Sequence, residues 1–210
     1  EIPKVLIEFN GKPFLEYLIR NLKEAGVEEI GIVVGYKKEK IADFLDRFGI
    51  EADLIDQESR KGTGGAVLSS KDFVGSEDFI VVGGDNLWSV SDIKKVVGSR
   101  GNCISGLEVE NPERYGVLVE KDGKLVEIKE KPREFVGNLI NSGLYKFSTK
   151  IFEVLERVGL SERGEYELTD GVSGLVELEG VDVLKLSDYW LDFGVPEDIP
   201  KVEEFFKRLG

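Results

Sequence analysis

The sequence predicts an α/β fold built on a doubly wound, mostly parallel sheet, with a β-rich second half. Three observations carry that prediction. Through the first hundred residues, short β-branched runs alternate with amphipathic helical stretches, the order that right-handed crossovers turn into a parallel sheet. The run Asp78-Phe79-Ile80-Val81-Val82-Gly83-Gly84-Asp85-Asn86 is apolar on both faces, as a strand in the middle of such a sheet would be. After Gly101, four strand-like stretches follow one another with no helix between them.

Taken in order, Pro13 suits a first helical turn, and Leu15, Leu18, Ile19 and Leu22 recur at helical spacing up to Gly26. Residues 29–34 read as a buried strand, 37–48 as a helix with Ile41, Phe44, Leu45 and Phe48 inward, and 52–56 as a short strand. Residues 62–74 begin glycine-rich and become helical through Ala66, Val67 and Leu68. The central strand follows, and Ser89 or Ser91 is placed to cap a helix running through Val97. Residues 102–110, 115–120, 124–129 and 139–147 read as strands, with Asp122-Gly123 a hairpin turn. Helices return at 149–158 and 168–178, strands at 181–186 and 189–193, and a closing helix at 196–209. With no linker, repeat or low-complexity segment, the change at Gly101 reads as a change of layer within one domain over 1–210, whose halves are 1–101 and 102–210.

Composition narrows the chemistry. Asp plus Glu number 41 against 28 Lys plus Arg, a net charge of -13, which speaks against a nucleic-acid footprint. An anionic ligand would need a local device: particular lysines, backbone N–H groups or a divalent cation. The chain has no His, which excludes His-based catalysis and His metal sites. Cys103 stands alone, so there is no internal disulfide and no Cys-built zinc site, and its apolar surroundings give it a packing role. No apolar run approaches the ~20 residues of a membrane span and no signal peptide is visible, so the cytoplasm is the default expectation. The chain starts at Glu1 and contains no Met, so an initiator and some residues after it are expected to be missing from it.

Four stretches carry candidate chemistry. Asp85 ends the central strand, at the edge of the sheet where such folds bind ligands; two glycines before it allow close approach, and its carboxylate is a hard oxygen donor suited to Mg²⁺. Read alone, the segment is sooner a strand-end turn than a site. Gly62-Thr63-Gly64-Gly65-Ala66 offers bare N–H groups beside a helix start, partners for a phosphate or a base edge, although it has neither Walker nor dinucleotide spacing and alone reads as a tight turn. In Glu130-Lys131-Pro132 the proline is expected to hold Lys131 extended, a compact charge for a phosphate or, alone, half of a solvated ion pair. Tyr189-Trp190-Leu191-Asp192-Phe193-Gly194 presents a second carboxylate. If Asp85 and Asp192 converge they repel unless a cation lies between them, and the oxygen-only site suits Mg²⁺.

These stretches stand in unbroken order with Pro3-Lys4, Arg114-Tyr115-Gly116-Val117, Ile140-Asn141-Ser142-Gly143-Leu144-Tyr145, Glu165-Tyr166-Glu167-Leu168-Thr169-Asp170 and Trp190-Leu191-Asp192-Phe193-Gly194-Val195-Pro196-Glu197-Asp198. Over nearly the whole chain the series resembles the sugar-1-phosphate nucleotidylyltransferases, such as glucose-1-phosphate thymidylyltransferase and mannose-1-phosphate guanylyltransferase, in a short form without a β-helix domain. The resemblance implies the Rossmann-like nucleotide-diphospho-sugar transferase fold, with 1–101 as the nucleotide half and 102–210 as the sugar-phosphate half. It also implies a Mg²⁺-dependent reaction of a nucleoside triphosphate with a sugar 1-phosphate. Asp85 and Asp192 would hold the metal and, with Lys4 and Lys131, form the catalytic set. Lys4, Gln57, Gly62, Thr63, Gly64 and Gly65 would meet the nucleotide. Tyr115, Gly116, Glu130, Asn141 and Glu165 would face the sugar, and Lys131 its phosphate. The glycine-rich GxGTRL loop that cradles the triphosphate in the family is absent from the sequence, and the resemblance places it, with a first strand, ahead of Pro3.

The base and sugar are not readable, and a homo-oligomer is left open. A cytidylyltransferase acting on inositol phosphate or phosphocholine, and a catalytically silent nucleotide- or sugar-phosphate-binding subunit, are the alternatives. A glycosyltransferase ranks behind them, because it would be expected to carry a DxD motif where this chain has Gly84-Asp85-Asn86-Leu87.

Overall fold

A short hairpin, β1 (Glu8–Phe9) and β2 (Lys12–Pro13), leads into α1 (Phe14–Glu24) in a computed structural model that describes residues 2–35, 37–57 and 60–209. Asn10 and Gly11 close the hairpin with positive φ, and Pro13, whose ψ of 145° is extended, is the helix N-cap rather than the first helical residue. On α1 the predicted Leu15, Leu18, Ile19 and Leu22 are all buried, the stripe that 3.6 residues per turn aligns.

β3 (Gly31–Val34), α2 (Lys38–Phe48) and β4 (Asp53–Asp56) form a βαβ unit whose strands pair in parallel, and Gly49 ends α2 in the left-handed region. α3 (Thr63–Ser69) and α4 (Lys71–Val74) are separated at Ser70, so the predicted 62–74 helix is two pieces. After β5 (Phe79–Val82) and β6 (Asn86–Trp88), the side chain of Ser89 accepts from the Asp92 N–H at 3.1 Å, and Ser89, not Ser91, caps α5 (Val90–Val97).

β7 (Cys103–Glu108), β8 (Gly116–Lys121), β9 (Lys124–Glu130) and β10 (Leu139–Phe147) then follow without a helix, as the sequence predicts. Asp122 (φ 53°) and Gly123 (φ 76°) both lie at positive φ, the condition for the tight turn that joins β8 to β9. α6 (Lys150–Leu155), α7 (Leu168–Leu178), β11 (Asp182–Lys185), β12 (Trp190–Asp192) and α8 (Ile199–Leu209) complete the chain. No helix among the described residues is long and apolar enough to cross a membrane.

Six strands make the main sheet in the order β5-β10-β7-β11-β9-β8. The α/β class holds, but parallel pairing is confined among the described residues to β3–β4 and β7–β11, and the other pairs run antiparallel. Among the described residues β5 does not sit in the middle of a parallel sheet: it ends the six-stranded sheet and pairs antiparallel with β10. The reason is that a β-branched run reports apolar contact on two faces without encoding the direction of its partners. β5 has both faces covered, with Ile80 and Val82 packed against one core and Phe79 and Val81 against the other.

Those two cores flank the sheet. One joins α1, α2 and α5 to Leu191, Phe193, Val202 and Phe206, so the chain beyond β11 returns to the first half. The other is built from α6, α7 and the long strands, and buries Phe147, Ile151, Phe152 and Leu175. Cys103 is buried in β7 beside Ser99, and burial pushes its thiol pKa up, in keeping with the packing role expected of it.

One buried charge ties the two halves together. Asp92 accepts from the backbone N–H groups of Ser187 (3.1 Å) and Asp188 (3.0 Å) and pairs with Lys95 at 2.9 Å. Burial alone would raise the pKa of this carboxyl; the hydrogen bonds from Lys95, Ser187, Asp188 and Ser89 outweigh it and hold the group below the ordinary range. Because the folded pKa is depressed, the stabilisation is complete above the ordinary carboxylate value and is lost as pH falls through the folded one. Asp92→Ala is expected to cost roughly 2–4 kcal/mol at pH 7 and less once the pH has fallen through the depressed pKa of this carboxyl, measured by urea unfolding along an acid series.

Candidate active site

β6 and β12 form a short antiparallel ribbon in which Asp192 faces Asn86, Leu191 faces Leu87 and Trp190 faces Trp88. Asp85 immediately precedes β6, and its carbonyl accepts from the N–H of Phe193 at 2.9 Å. The two acids predicted to converge are therefore brought to neighbouring positions by backbone pairing. Phe193 is fully buried, with Phe9 and Phe14 rings at 5.5 Å each, so the strand that carries Asp192 is pinned from below by an aromatic cluster.

The carboxyl of Asp192 is pushed above the ordinary range first by burial, then by the charges of Asp85 and Asp198, with Lys201 and Lys4 acting the other way. Lys4 reaches the same rim: its Nζ donates to Asp85 Oδ2 and to the Gly194 carbonyl, both at 2.8 Å. Asn86 Nδ2 donates to Asp85 Oδ1 at 2.9 Å, and Trp190 Nε1 donates to Asn86 Oδ1 at 2.9 Å. The donor set fits a magnesium-sized hard cation in kind: two carboxylates, with like charge already costing the second its ease of ionisation. Among the described residues no group of three or more acids and thiols is placed to cage a metal, so oxygens from a ligand would have to complete the coordination.

The residues expected to face a sugar gather along β8, β9 and β10. Gly116 lies opposite Glu130, and a Cβ on it would come 3.1 Å from Glu130 Oε2 and 3.9 Å from the Cβ of Asn141. A register shift in β10 between Asn141 and Tyr145, with Gly143 at φ 81°, re-aims Asn141. Its amide is fixed at both ends, Nδ2 donating to the Tyr145 hydroxyl at 2.7 Å and Oδ1 accepting from the Gly143 N–H at 3.0 Å. Tyr145 is fully enclosed, and its pKa is pushed up to about 12 by burial, with the Glu130 charge adding to the rise. The Tyr115 ring meets Trp190 edge-on at 5.8 Å and links this group to the acid rim.

Lys131 departs from expectation. Its φ is 43°, in the left-handed region, not extended, while its N–H donates to the Tyr115 carbonyl at 3.0 Å. The following proline disfavours right-handed helix, and the end of β9 meets that restriction by turning through positive φ. A non-glycine residue there is strained, a feature that collects at functional positions.

The glycine turn and Glu165 form a third group, and no hydrogen bond or ion pair joins it to the acid rim or to Gly116, Glu130 and Asn141 among the described residues. The Gly64 N–H donates to the Tyr166 carbonyl at 2.8 Å, the Tyr166 N–H to the Lys61 carbonyl at 2.9 Å, and the Leu168 N–H to Thr63 Oγ1 at 3.0 Å. A Cβ on Gly62 would collide with residues 165–166 and one on Gly65 with the Arg60 carbonyl, while one on Gly64 would press on the backbone of residues 166–167. The glycines thus serve close approach within the chain, and the Thr63 hydroxyl serves the first turn of α7. Gln57 Nε2 donates to the Arg60 and Gly62 carbonyls at 3.1 and 3.0 Å.

Sequence reasoning gave no role to Asn86, Trp190 or Tyr145, the side chains that orient the predicted ones. All three lie inside the motifs quoted above, and a polar residue beside a predicted ligand was the available signal.

A family profile described as nucleotidyl transferase matches residues 1–208. The chain is 39% identical over 204 residues to the bifunctional protein GlmU of Methanocaldococcus jannaschii, covering 97% of this chain and 49% of that protein. It is 38% identical over 208 residues to the low-salt glycan biosynthesis nucleotidyltransferase Agl11 of Haloferax volcanii, covering 94% of this chain and 58% of that one. The chain thus spans about half the length of the curated relatives it matches. Among solved structures, a Bacillus anthracis protein assigned as a glucose-1-phosphate thymidylyltransferase superposes with a TM-score of 0.85 at 26% identity, covering 97% of this chain and 86% of that one. Matched by the profile over nearly its whole length and by relatives at 38–39% identity, the chain belongs to the nucleotidyl transferase family.

Proposed function

We propose that this chain joins a nucleoside triphosphate to a sugar 1-phosphate, giving an NDP-sugar and pyrophosphate. The observation that carries the reading is the pair Asp85 and Asp192, held side by side on the β6–β12 ribbon with the Lys4 ammonium among them. A sugar phosphate oxygen is already an anionic nucleophile at neutral pH, so a chain without His, and with its one Cys buried, lacks nothing needed to activate it. The oxygen attacks the α-phosphorus in line and pyrophosphate leaves, so catalysis is positioning and charge neutralisation.

Asp85 and Asp192 are assigned to Mg²⁺, which when bound neutralises charge building on the phosphates. Lys4 receives the nucleotide phosphates. Gln57 with the backbone of Gly62, Thr63, Gly64 and Gly65 lines the base. Gly116 leaves the room that a side chain would fill; Tyr115, Glu130, Asn141 and Glu165 take the sugar hydroxyls, and Lys131 its phosphate. In the nucleotide half, 1–101, β3 and β5 each pair on one side only among the described residues, which supports placing a further strand and the triphosphate loop ahead of Pro3. The half 102–210 presents the acceptor. Nucleoside triphosphates as substrates favour a cytoplasmic setting.

Asp85→Ala or Asp192→Ala is expected to lower Mg²⁺-dependent pyrophosphate release by about 10³-fold or more, measured with a panel of triphosphates and sugar phosphates. Unchanged rates would remove the metal role.

Because the folded pKa of Asp192 is raised, its ionised form destabilises the metal-free protein above that pKa, and the penalty vanishes as pH falls through it. Asp192→Asn should therefore stabilise the protein by about 1 kcal/mol in EDTA at pH 7 while removing turnover, a trade read by thermal unfolding beside the rate assay. Lys131→Ala should raise KM for the sugar phosphate about 10- to 100-fold with little change for the triphosphate. An equal rise for both would reassign it.

A further inference from the structure

Lys4 is held where a cation belongs. Its Nζ has two partners at 2.8 Å, Asp85 Oδ2 and the Gly194 carbonyl, and lies 5.9 Å from the centre of the Phe193 ring. The other Asp85 oxygen is taken by the Asn86 amide, whose orientation Trp190 fixes. Each Asp85 oxygen thus already has a donor, whereas among the described residues no hydrogen bond or ion pair reaches the oxygens of Asp192. The side chains of Lys4 and Asp85 are each 35% exposed, so the ammonium is within reach of whatever enters the rim.

We infer that Lys4 makes the acid pair select a divalent cation arriving with a polyanion over the same cation free in solution. The inference rests on the reading that these acids hold such a cation beside a nucleotide. A free cation must push the ammonium off Asp85 and leave it next to a like charge with no new partner. A metal–nucleotide complex brings phosphate oxygens to which a compact charge on a flexible stem can move, so the displaced ammonium ends in a new ion pair. Selection is a difference between two affinities, and here the repulsive element against the unwanted ligand is the ammonium itself.

The test is Mn²⁺ binding to the full chain, followed by the electron paramagnetic resonance signal of the free ion, with and without an α,β-methylene nucleoside triphosphate. Lys4→Met should bind Mn²⁺ about tenfold tighter than wild type without the nucleotide, the weight of one charge-assisted hydrogen bond, and more weakly than wild type with it. Lys4→Arg keeps the cation and should stay near wild type. Lys201→Met removes a charge that also bears on Asp192 but that, among the described residues, no hydrogen bond joins to either acid, and should shift the free-ion affinity less than about twofold. Equal or weaker Mn²⁺ binding by Lys4→Met without nucleotide overturns the inference, as does a Lys201→Met effect as large as that of Lys4→Met. Asp85→Asn must abolish the binding, and Mn²⁺ retained in that variant would place the ion elsewhere and defeat the proposal. A chain that fails to release pyrophosphate with every substrate pair would remove the reading of the reaction, while the inversion of Mn²⁺ affinity would stand or fall by itself.

Discussion

The pairing of β6 with β12 is the constraint on which the rest depends. Each strand has three residues, too few to hold a ribbon together by its own ladder. What holds it is burial: Leu87, Trp88, Leu191 and Phe193 are all at most 2% exposed, and the Phe193 N–H to Asp85 carbonyl bond continues the pairing beyond the strands. Apolar packing of the ribbon thus holds two carboxylates at neighbouring positions, where burial first and the Asp85 charge second raise the pKa of Asp192. α8 is part of this arrangement, since Phe206 stacks on Phe9 and meets the Tyr17 ring at a tilt in the cluster that also holds Phe193.

The net charge of -13 makes a polyanion site appear out of place, and local geometry answers the difficulty. The acids of the rim are concentrated where Lys4 already sits, and Lys131 stands at the end of β9 with its backbone tied to Tyr115. A divalent cation on the proposed site would add two positive charges at one point, and within a Debye length of about 8 Å that local term outweighs surface charge spread over the rest of the molecule.

Much of this was legible in the chain because it depends on local pattern. Periodicity gave the inward faces of α1 and α2, Asp122-Gly123 gave the β8–β9 turn, and the helix-free stretch after Gly101 gave β7 through β10. The meeting of Asp85 and Asp192 was left conditional by the residues themselves and was implied by the family resemblance. Features set by long-range pairing were not legible: β5 lying against an antiparallel β10, the bulge at Asn141, and the left-handed turn of Lys131 at the end of a ladder. Thr63 shows the same limit most sharply. Its place in a glycine-rich turn pointed to a ligand, whereas its hydroxyl is engaged by Leu168, 105 positions away.

That engagement bears on how two substrates would be aligned. Residues 61–64 and 165–168 are stitched by three hydrogen bonds, and glycines without side chains let them approach closely. The Arg60 guanidinium lies 4.8 Å above the Tyr166 ring and bonds the Leu155 carbonyl at the end of α6, which seats the stitched pair on the second core. The proposed base-side turn and the Glu165 segment are therefore tied directly to each other. In-line transfer is sensitive to displacements of about 1 Å between reactants. A chain that fixes the two segments to each other before any ligand arrives spends none of the ligands' binding energy on aligning them. The strain at Lys131 then lies just past the end of β9 and the bulge between Asn141 and Tyr145 lies within β10, both on the proposed acceptor side, where local backbone distortion can adjust one side chain without disturbing the frame that carries the acids.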